Sequence, residues 1–378
     1  MAEKRKLFEE VGSGAPRQVP AGGMIDAKGR GARGAIRAWL MVLFALVMAM
    51  IVVGGLTRLT DSGLSITEWK PITGALPPMD QAAWEEEFTL YQQIPEYQLQ
   101  NKGMTLSDFK AIYWWEWGHR QLGRVIGLVW ALGFFGFLLT RKIPTGWTGR
   151  LATLGVLGGV QGAVGWWMVS SGLGGEMLDV ASYRLATHLG LAFVILGFIA
   201  WYSYALKRPE RDLMQARRSA EPKLFRMSTG LVHAAFLQII LGALVAGIDA
   251  GRNYPSWPLM EGGLWPSAMF DLEPFWRNFF ENPGLVQFMH RMMGYLLFSF
   301  GVVVWMRGRR SANRDTAFRF NAVFAMLVVQ MVLGIVTVLY SAQVHIAITH
   351  QLGAVLLWAL ILRARFAARY PMPQSVRG

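Results

Sequence analysis

Apolar residues along this chain are gathered rather than scattered. Eight runs, at 38–59, 122–140, 151–170, 185–206, 229–248, 285–306, 320–340 and 345–362, approach the roughly 20 residues that a helix needs to cross a hydrocarbon layer of about 30 Å. In lipid a segment must satisfy its own backbone, so each run predicts a helix rather than an open strand. The polar stretches between the runs alternate in charge. The N-terminal segment, the connections 141–150, 207–228 and 307–319, and the C-terminus hold 27 of the 37 Lys and Arg but 8 of the 24 acidic residues. The other connections and their rims hold the remaining 10 basic and 16 acidic residues. Basic flanks stay on the cytoplasmic side, so both termini are expected there, as an even number of spans requires.

Composition agrees. The chain is 53% hydrophobic and 16% charged, where soluble domains average about a quarter charged. Absence of cysteine excludes disulfides, thiolate metal sites, iron–sulfur clusters and cysteine nucleophiles. The net charge of +13 belongs to the cytoplasmic connections, and a nucleic-acid partner is not expected. Residues 1–37 are basic but include Glu3, Glu9, Glu10 and Asp26 and lack an apolar core, so they read as a cytoplasmic tail rather than a targeting segment. The outer loops 60–118 and 249–284 are long enough to suggest a function, and Trp257, Trp265 and Trp276 of the second suit the membrane interface.

The second half echoes the first. His119-Arg120-x-x-Gly123 is matched by His290-Arg291-x-x-Gly294, Thr187-His188 by Thr349-His350, and Gln161-x-x-x-Gly165 by Gln330-x-x-x-Gly334. Four spans per half make a parallel repeat about an axis along the membrane normal. The expected architecture is an all-α membrane protein of two pseudo-symmetric four-helix bundles. They would cover 38–206 and 229–365, joined by a basic linker at 207–228 and followed by a cytoplasmic tail at 366–378.

His119, His188, His290 and His350 enter their spans from the outer side, at similar depth. Facing helices of a bundle can each offer one imidazole to a shared ligand, and an ionisable residue within a membrane is a functional candidate. The plainer reading is a hydrogen bond to a neighbouring helix, but recurrence at four repeat-equivalent positions favours ligation. No carboxylate or thiol set completes a zinc site, whereas haem iron needs two axial ligands and an apolar slot. Arg120, Arg124, Arg184 and Arg291 sit at the same rim, where they could pair with propionates or snorkel to the interface. His233 reads as structural and His345 as a surface residue.

The halves differ at one place. Glu116 lies three residues before His119 and shares its helix face, whereas Gln287 stands before His290. A haem that only carries electrons needs no acid or base beside it, but a substrate losing protons does. Glu116 could also be an interfacial residue of an aromatic rim turn.

At these residues the sequence resembles the haem A synthases, membrane enzymes that oxidise haem O to haem A for terminal oxidases. The resemblance covers roughly 38–365 and is carried by Gly54-Gly-Leu-Thr-Arg-Leu-Thr-Asp-Ser-Gly-Leu-Ser-Ile-Thr-Glu-Trp-Lys-Pro71, Glu116-Trp-Gly-His119-Arg120, Thr187-His188, Ala246-Gly-Ile-Asp-Ala-Gly251, His290-Arg291 and Thr349-His350. Lacking cysteine, the chain looks like the cysteine-free subgroup of alphaproteobacteria and mitochondria. The resemblance implies His119 and His188 as axial ligands of the substrate haem, His290 and His350 as ligands of a haem b cofactor, and Glu116 as a catalytic residue. It implies oxidation of the C8 methyl to formyl, a bacterial cytoplasmic membrane location with haem sites toward the periplasmic side, and haem O synthase as supplier. An electron-transfer partner, terminal oxidase assembly, lipid contact and a homo-oligomer are compatible with it. Two rival readings fit the same histidines. A quinol-linked di-haem b electron carrier needs the same four histidines but not the Glu116/Gln287 difference. A haem transporter would favour helices broken near the midplane.

Overall fold

A computed structural model describes residues 30–174 and 177–374. The expected N-terminal tail therefore lies outside the described residues up to residue 29, as do 375–378 of the C-terminal tail. The helices run α1 (Arg30–Leu59), α2 (Gln81–Tyr91), α3 (Pro95–Leu99), α4 (Leu106–Leu139), α5 (Thr148–Val169), α6 (Ser182–Leu206), α7 (Glu210–Ala216), α8 (Pro222–Gly247), α9 (Asn278–Glu281), α10 (Pro283–Gly308), α11 (Arg314–Leu339) and α12 (Val344–Arg369). Among the described residues eight helices, α1, α4, α5, α6, α8, α10, α11 and α12, are long and apolar enough to cross a membrane. Among the described residues there is no strand, only an isolated bridge between Met260 and Gly263.

Three spanning helices, α4, α10 and α11, start where capping chemistry begins, not where hydrophobicity does. Asn282 accepts the Leu285 N–H at 2.9 Å ahead of α10, and Asn313 accepts that of Thr316 at 3.0 Å ahead of α11. Such caps satisfy amides that the helix cannot pair internally. Thr105 and Asp108 form a reciprocal capping box, so α4 starts at Leu106, well before the apolar run at 122. Much of the expected loop 60–118 is thus helical. Trp84, Tyr91, Phe109 and Tyr113 from α2 and α4 bury one another with Leu64, Ile66, Val169 and Val180, making a second apolar core outside the helix bundle.

Within the membrane layer α6 is the inner element. More than half of its central window is buried, and it packs against α1, α5, α8 and α12. Small residues permit this closeness. A methyl at Gly190 would lie 2.5 Å from Ile240 of α8, and one at Gly247 would lie 2.8 Å from Ser182 Cα of α6. Indole N–H groups lock neighbouring helices through spare carbonyls: Trp39 to Val129 at 2.9 Å, Trp130 to Leu151 at 3.1 Å and Trp358 to Phe193 at 3.1 Å. The start of α1 and the ends of α6 and α12 meet at one face, where Arg33 donates to Arg208 O and Arg208 donates to Tyr370 O.

At the opposite face, Arg58 ends α1 as a buried cation. Its guanidinium reaches Asp61 at 2.8 Å, Asp179 at 3.3 Å and Asp249 at 3.1 Å. Asp61 and Asp249 both hold left-handed backbone, φ 49° and 51°, which Asp tolerates better than most residues. One side chain thus ties together the segments that follow α1, α5 and α8. Arg58→Ala strands three carboxylates that keep some contact with water, so the expected loss is about 3 kcal/mol, the low end for breaking a buried pair. Arg58→Lys, lacking the planar fork, should recover only part of it. The melting midpoint in detergent reads both, and an unchanged midpoint for Arg58→Ala refutes the account.

The outer core also encloses Glu96, whose Oε1 accepts from Tyr91 Oη at 2.8 Å and Asn101 Nδ2 at 3.2 Å. Burial, more than the neighbouring Asp179 and Glu116 charges, pushes its carboxyl up to about 7, against 4.5 for an ordinary Glu. The folded chain therefore holds this proton more tightly than the unfolded one. That contribution is complete below about 4.5 and is lost as pH rises through about 7. Glu96→Gln should gain stability over the parent at mildly alkaline pH and show a flatter melting profile between acidic and alkaline buffers.

Candidate functional site

His119 on α4, His188 on α6, His290 on α10 and His350 on α12 are all half-buried. Each faces a glycine of a neighbouring span. A methyl at Gly54 of α1 would stand 3.0 Å from His119 Nε2, and one at Gly165 of α5 would stand 2.9 Å from His188 Cε1. Gly242 of α8 and Gly334 of α11 would bring theirs to 3.0 Å from His290 Cε1 and 3.3 Å from His350 Cε1. Any Cβ there would displace the imidazole, so the ring takes the space a side chain would have used.

Glutamine amides hold three of the rings. Gln161 Nε2 donates to the His188 carbonyl at 3.0 Å and lies 3.1 Å from its Nδ1. Gln238 Nε2 does the same to His290 at 3.1 Å and 3.1 Å. Gln330, with its amide oriented to satisfy both ends, is 3.3 Å from the His350 carbonyl and 3.3 Å from its Nδ1. Partners of this kind set the orientation of metal-ligating histidines. The His119 ring has no hydrogen-bond partner among the described residues.

The rim carries the four arginines. Arg120 donates to Glu116 and to Ile66 O and Glu68 O, and Arg124 to Lys70 O and Pro71 O, so these two are engaged with the outer loop. Arg184 donates to Trp167 O at 2.6 Å and lies over that indole. Arg291 uses Nη2 for Tyr254 O and Gln287 Oε1, leaving Nε and Nη1 buried without a partner. Gln161 Oε1, Gln238 Oε1 and Arg184 Nε are also buried and unpaired. Orphaned polar atoms of this kind are costly in an apolar setting. Four half-buried imidazoles at the same end of their spans, with unpaired buried guanidinium donors for an anion at the rim, fit a haem.

Glu116 and Gln287 occupy parallel positions with different partners. Glu116 is 2% exposed. Its Oε2 accepts from Ser65 Oγ and the Ile66 N–H, both at 2.7 Å, and its Oε1 from Arg120 at 2.6 and 3.0 Å. Gln287 Oε1 accepts from Arg291 at 2.7 Å, and its Nε2 donates to Ala250 O at 2.7 Å. The first half thus meets its outer loop with a carboxylate facing two donors, and the second with an amide facing an acceptor. Away from these sites, His233 pairs through Nδ1 with Thr229 O of its own helix, and His345 is exposed in the first turn of α12.

Ser65, Ile66, Gly54, Gly242 and Gln238 were not singled out from the sequence as site residues. For Gln238 the signal was present, since Gln238-x-x-x-Gly242 repeats the spacing of Gln161-x-x-x-Gly165 and Gln330-x-x-x-Gly334. For Ser65 and Ile66 it was not, since nothing local marks which loop atoms will meet a carboxylate fifty residues on.

Residues 37–362 match the family described as Cytochrome oxidase assembly protein. The chain is 70% identical over 377 residues to a protein of Ruegeria sp. strain TM1040 named Heme A synthase, covering 99% of each. It is 68% identical to the Heme A synthase of Ruegeria pomeroyi, over 100% of both. The protein of that name from Paracoccus denitrificans is 62% identical over 99% of both chains. With nearly the whole chain matched in family and in relatives alike, the protein belongs to the cytochrome oxidase assembly protein family.

Proposed function

We propose that this chain is a haem A synthase, an oxidoreductase that converts the C8 methyl of haem O into the formyl group of haem A. The observation that carries the reading is full-length identity of 62–70% to proteins of that name, joined to four imidazoles, each against a glycine. His119 and His188 would hold the substrate haem. His290 and His350 would hold haem b, which supplies one-electron redox chemistry when bound. Arg291, with two unpaired donors, suits a propionate of that second group. Each half is then one four-helix bundle. With both termini in the cytoplasm of a bacterium, the histidine end faces the periplasm, and haem O arrives from its synthase.

Oxidation of a methyl to a formyl group releases protons as well as electrons, and charge develops beside the macrocycle. Glu116 is the group that distinguishes the first half. Ser65, the Ile66 amide and Arg120 hold its two oxygens in place through four hydrogen bonds, so as a carboxylate it would act as a positioned negative charge that stabilises developing positive charge. Gln287 explains why the second half does not share the chemistry, for an amide carries no such charge. The electron carrier reading lacks any use for this difference.

The primary test is the haem content of the purified chain after co-expression with a haem O synthase. Haem b together with haem O, haem A or a hydroxylated intermediate is expected, and haem b alone, unaffected by supplied haem O, defeats the reading. Glu116→Gln should keep both haems yet yield no haem A. It should also lose about 1–2 kcal/mol, because its amide would face the donors Ser65 and Ile66. Haem A formation at the parental rate in that variant removes Glu116 from the mechanism.

A further inference from the structure

Four spans carry the same local device, a glycine that receives a histidine ring and, one helical turn earlier on the same face, a residue that reaches that histidine's helix. In α5, α8 and α11 this residue is glutamine: Gln161 before Gly165, Gln238 before Gly242, Gln330 before Gly334. In α1 the residue four before Gly54 is Met50. The correspondence is spatial as well. A methyl at Gly294, four after His290, would lie 3.4 Å from Gln238 Nε2, and a methyl at Gly123, four after His119, would lie 3.4 Å from Met50 Cε. Met50 therefore stands where the other half has the amide that grips His290.

A thioether on three rotatable bonds donates no hydrogen bond and adapts its shape. His119 accordingly differs from the other three in two respects. Its ring has no hydrogen-bond partner among the described residues, and it is turned differently. His188, His290 and His350 present Cε1 to their glycines, whereas His119 presents Nε2, with Cδ2 next nearest at 3.5 Å. The one imidazole without an amide is the one whose orientation departs from the pattern.

We propose that His119 is the releasable axial ligand of the N-terminal haem, and that Met50 keeps it releasable by withholding the amide that fixes the other three. The inference rests on the haem reading above. It gives the two haems different duties. His290 and His350, each held by a glutamine amide, would both keep their hold on the C-terminal group, as suits one that passes electrons. His119, without an amide, would let go of the N-terminal group on the α4 side and admit a small ligand. Met50 is a positioning residue, acting through His119 rather than on the substrate.

Carbon monoxide tests this without reference to turnover, since it binds reduced haem only where an axial position can be vacated. The reduced wild-type chain carrying both haems should bind it at one haem, seen as a change in part of the Soret absorbance. Met50→Gln should slow that reaction about tenfold, the lower range for changes to groups that orient a metal ligand. Met50→Leu, equally unable to donate, should leave it unchanged. Gln238→Met should make the second haem reactive, and this variant decides the matter if Met50→Gln does not assemble. Two haems of equal reactivity in the wild type, or rates indifferent to residue 50 and residue 238, overturn the proposal while leaving the haem reading intact. A chain purified without haem overturns both.

Discussion

An imidazole placed among apolar helices has no bulk water to complete its hydrogen bonds or to share its space. Most of what is specific in this molecule follows from accommodating four of them. Each ring needs room, and the room is a missing side chain at Gly54, Gly165, Gly242 or Gly334. Three also have a partner, the amides of Gln161, Gln238 and Gln330. Because ring, glycine and amide lie on adjacent spans, these contacts set how each helix pair is rotated about its own axes. Apolar packing alone defines that rotation weakly when lipid is as apolar as the interface.

The two halves repeat this plan and then depart from it. A carboxylate replaces an amide beside the first histidine, and a thioether replaces the amide that would hold the ring. The outer loop of the first half is longer and builds its own apolar core around Trp84, Tyr91 and Phe109. That core brings Ser65 and the Ile66 amide onto Glu116. Glu116 is thereby positioned by a packed layer rather than by an isolated loop.

Arg58 connects that layer to the rest. Its three aspartates come from segments that follow α1, α5 and α8, so the outer ends of both halves are referred to one guanidinium. The planar fork and permanent charge of arginine suit this better than lysine would. The opposite face is joined differently, by arginine donors on backbone carbonyls where α1 starts and α6 and α12 end.

Much was legible before any coordinates. Apolar run length alone yields eight spanning helices, because crossing lipid is a requirement on consecutive residues. The repeated His-Arg and Thr-His pairs and the Glu116/Gln287 difference are likewise visible as letters at fixed spacing. The start of α4 was missed because its first turns are amphipathic and obey a capping box, not hydropathy. Arg58 gathering Asp61, Asp179 and Asp249, Glu116 turning to Ser65 and Ile66, and glycines standing opposite histidines were not readable in advance. Local patterns state which face of a helix is apolar and where it can end. They do not state which residues of another helix will be at the same height and rotation, because that depends on every packed neighbour at once.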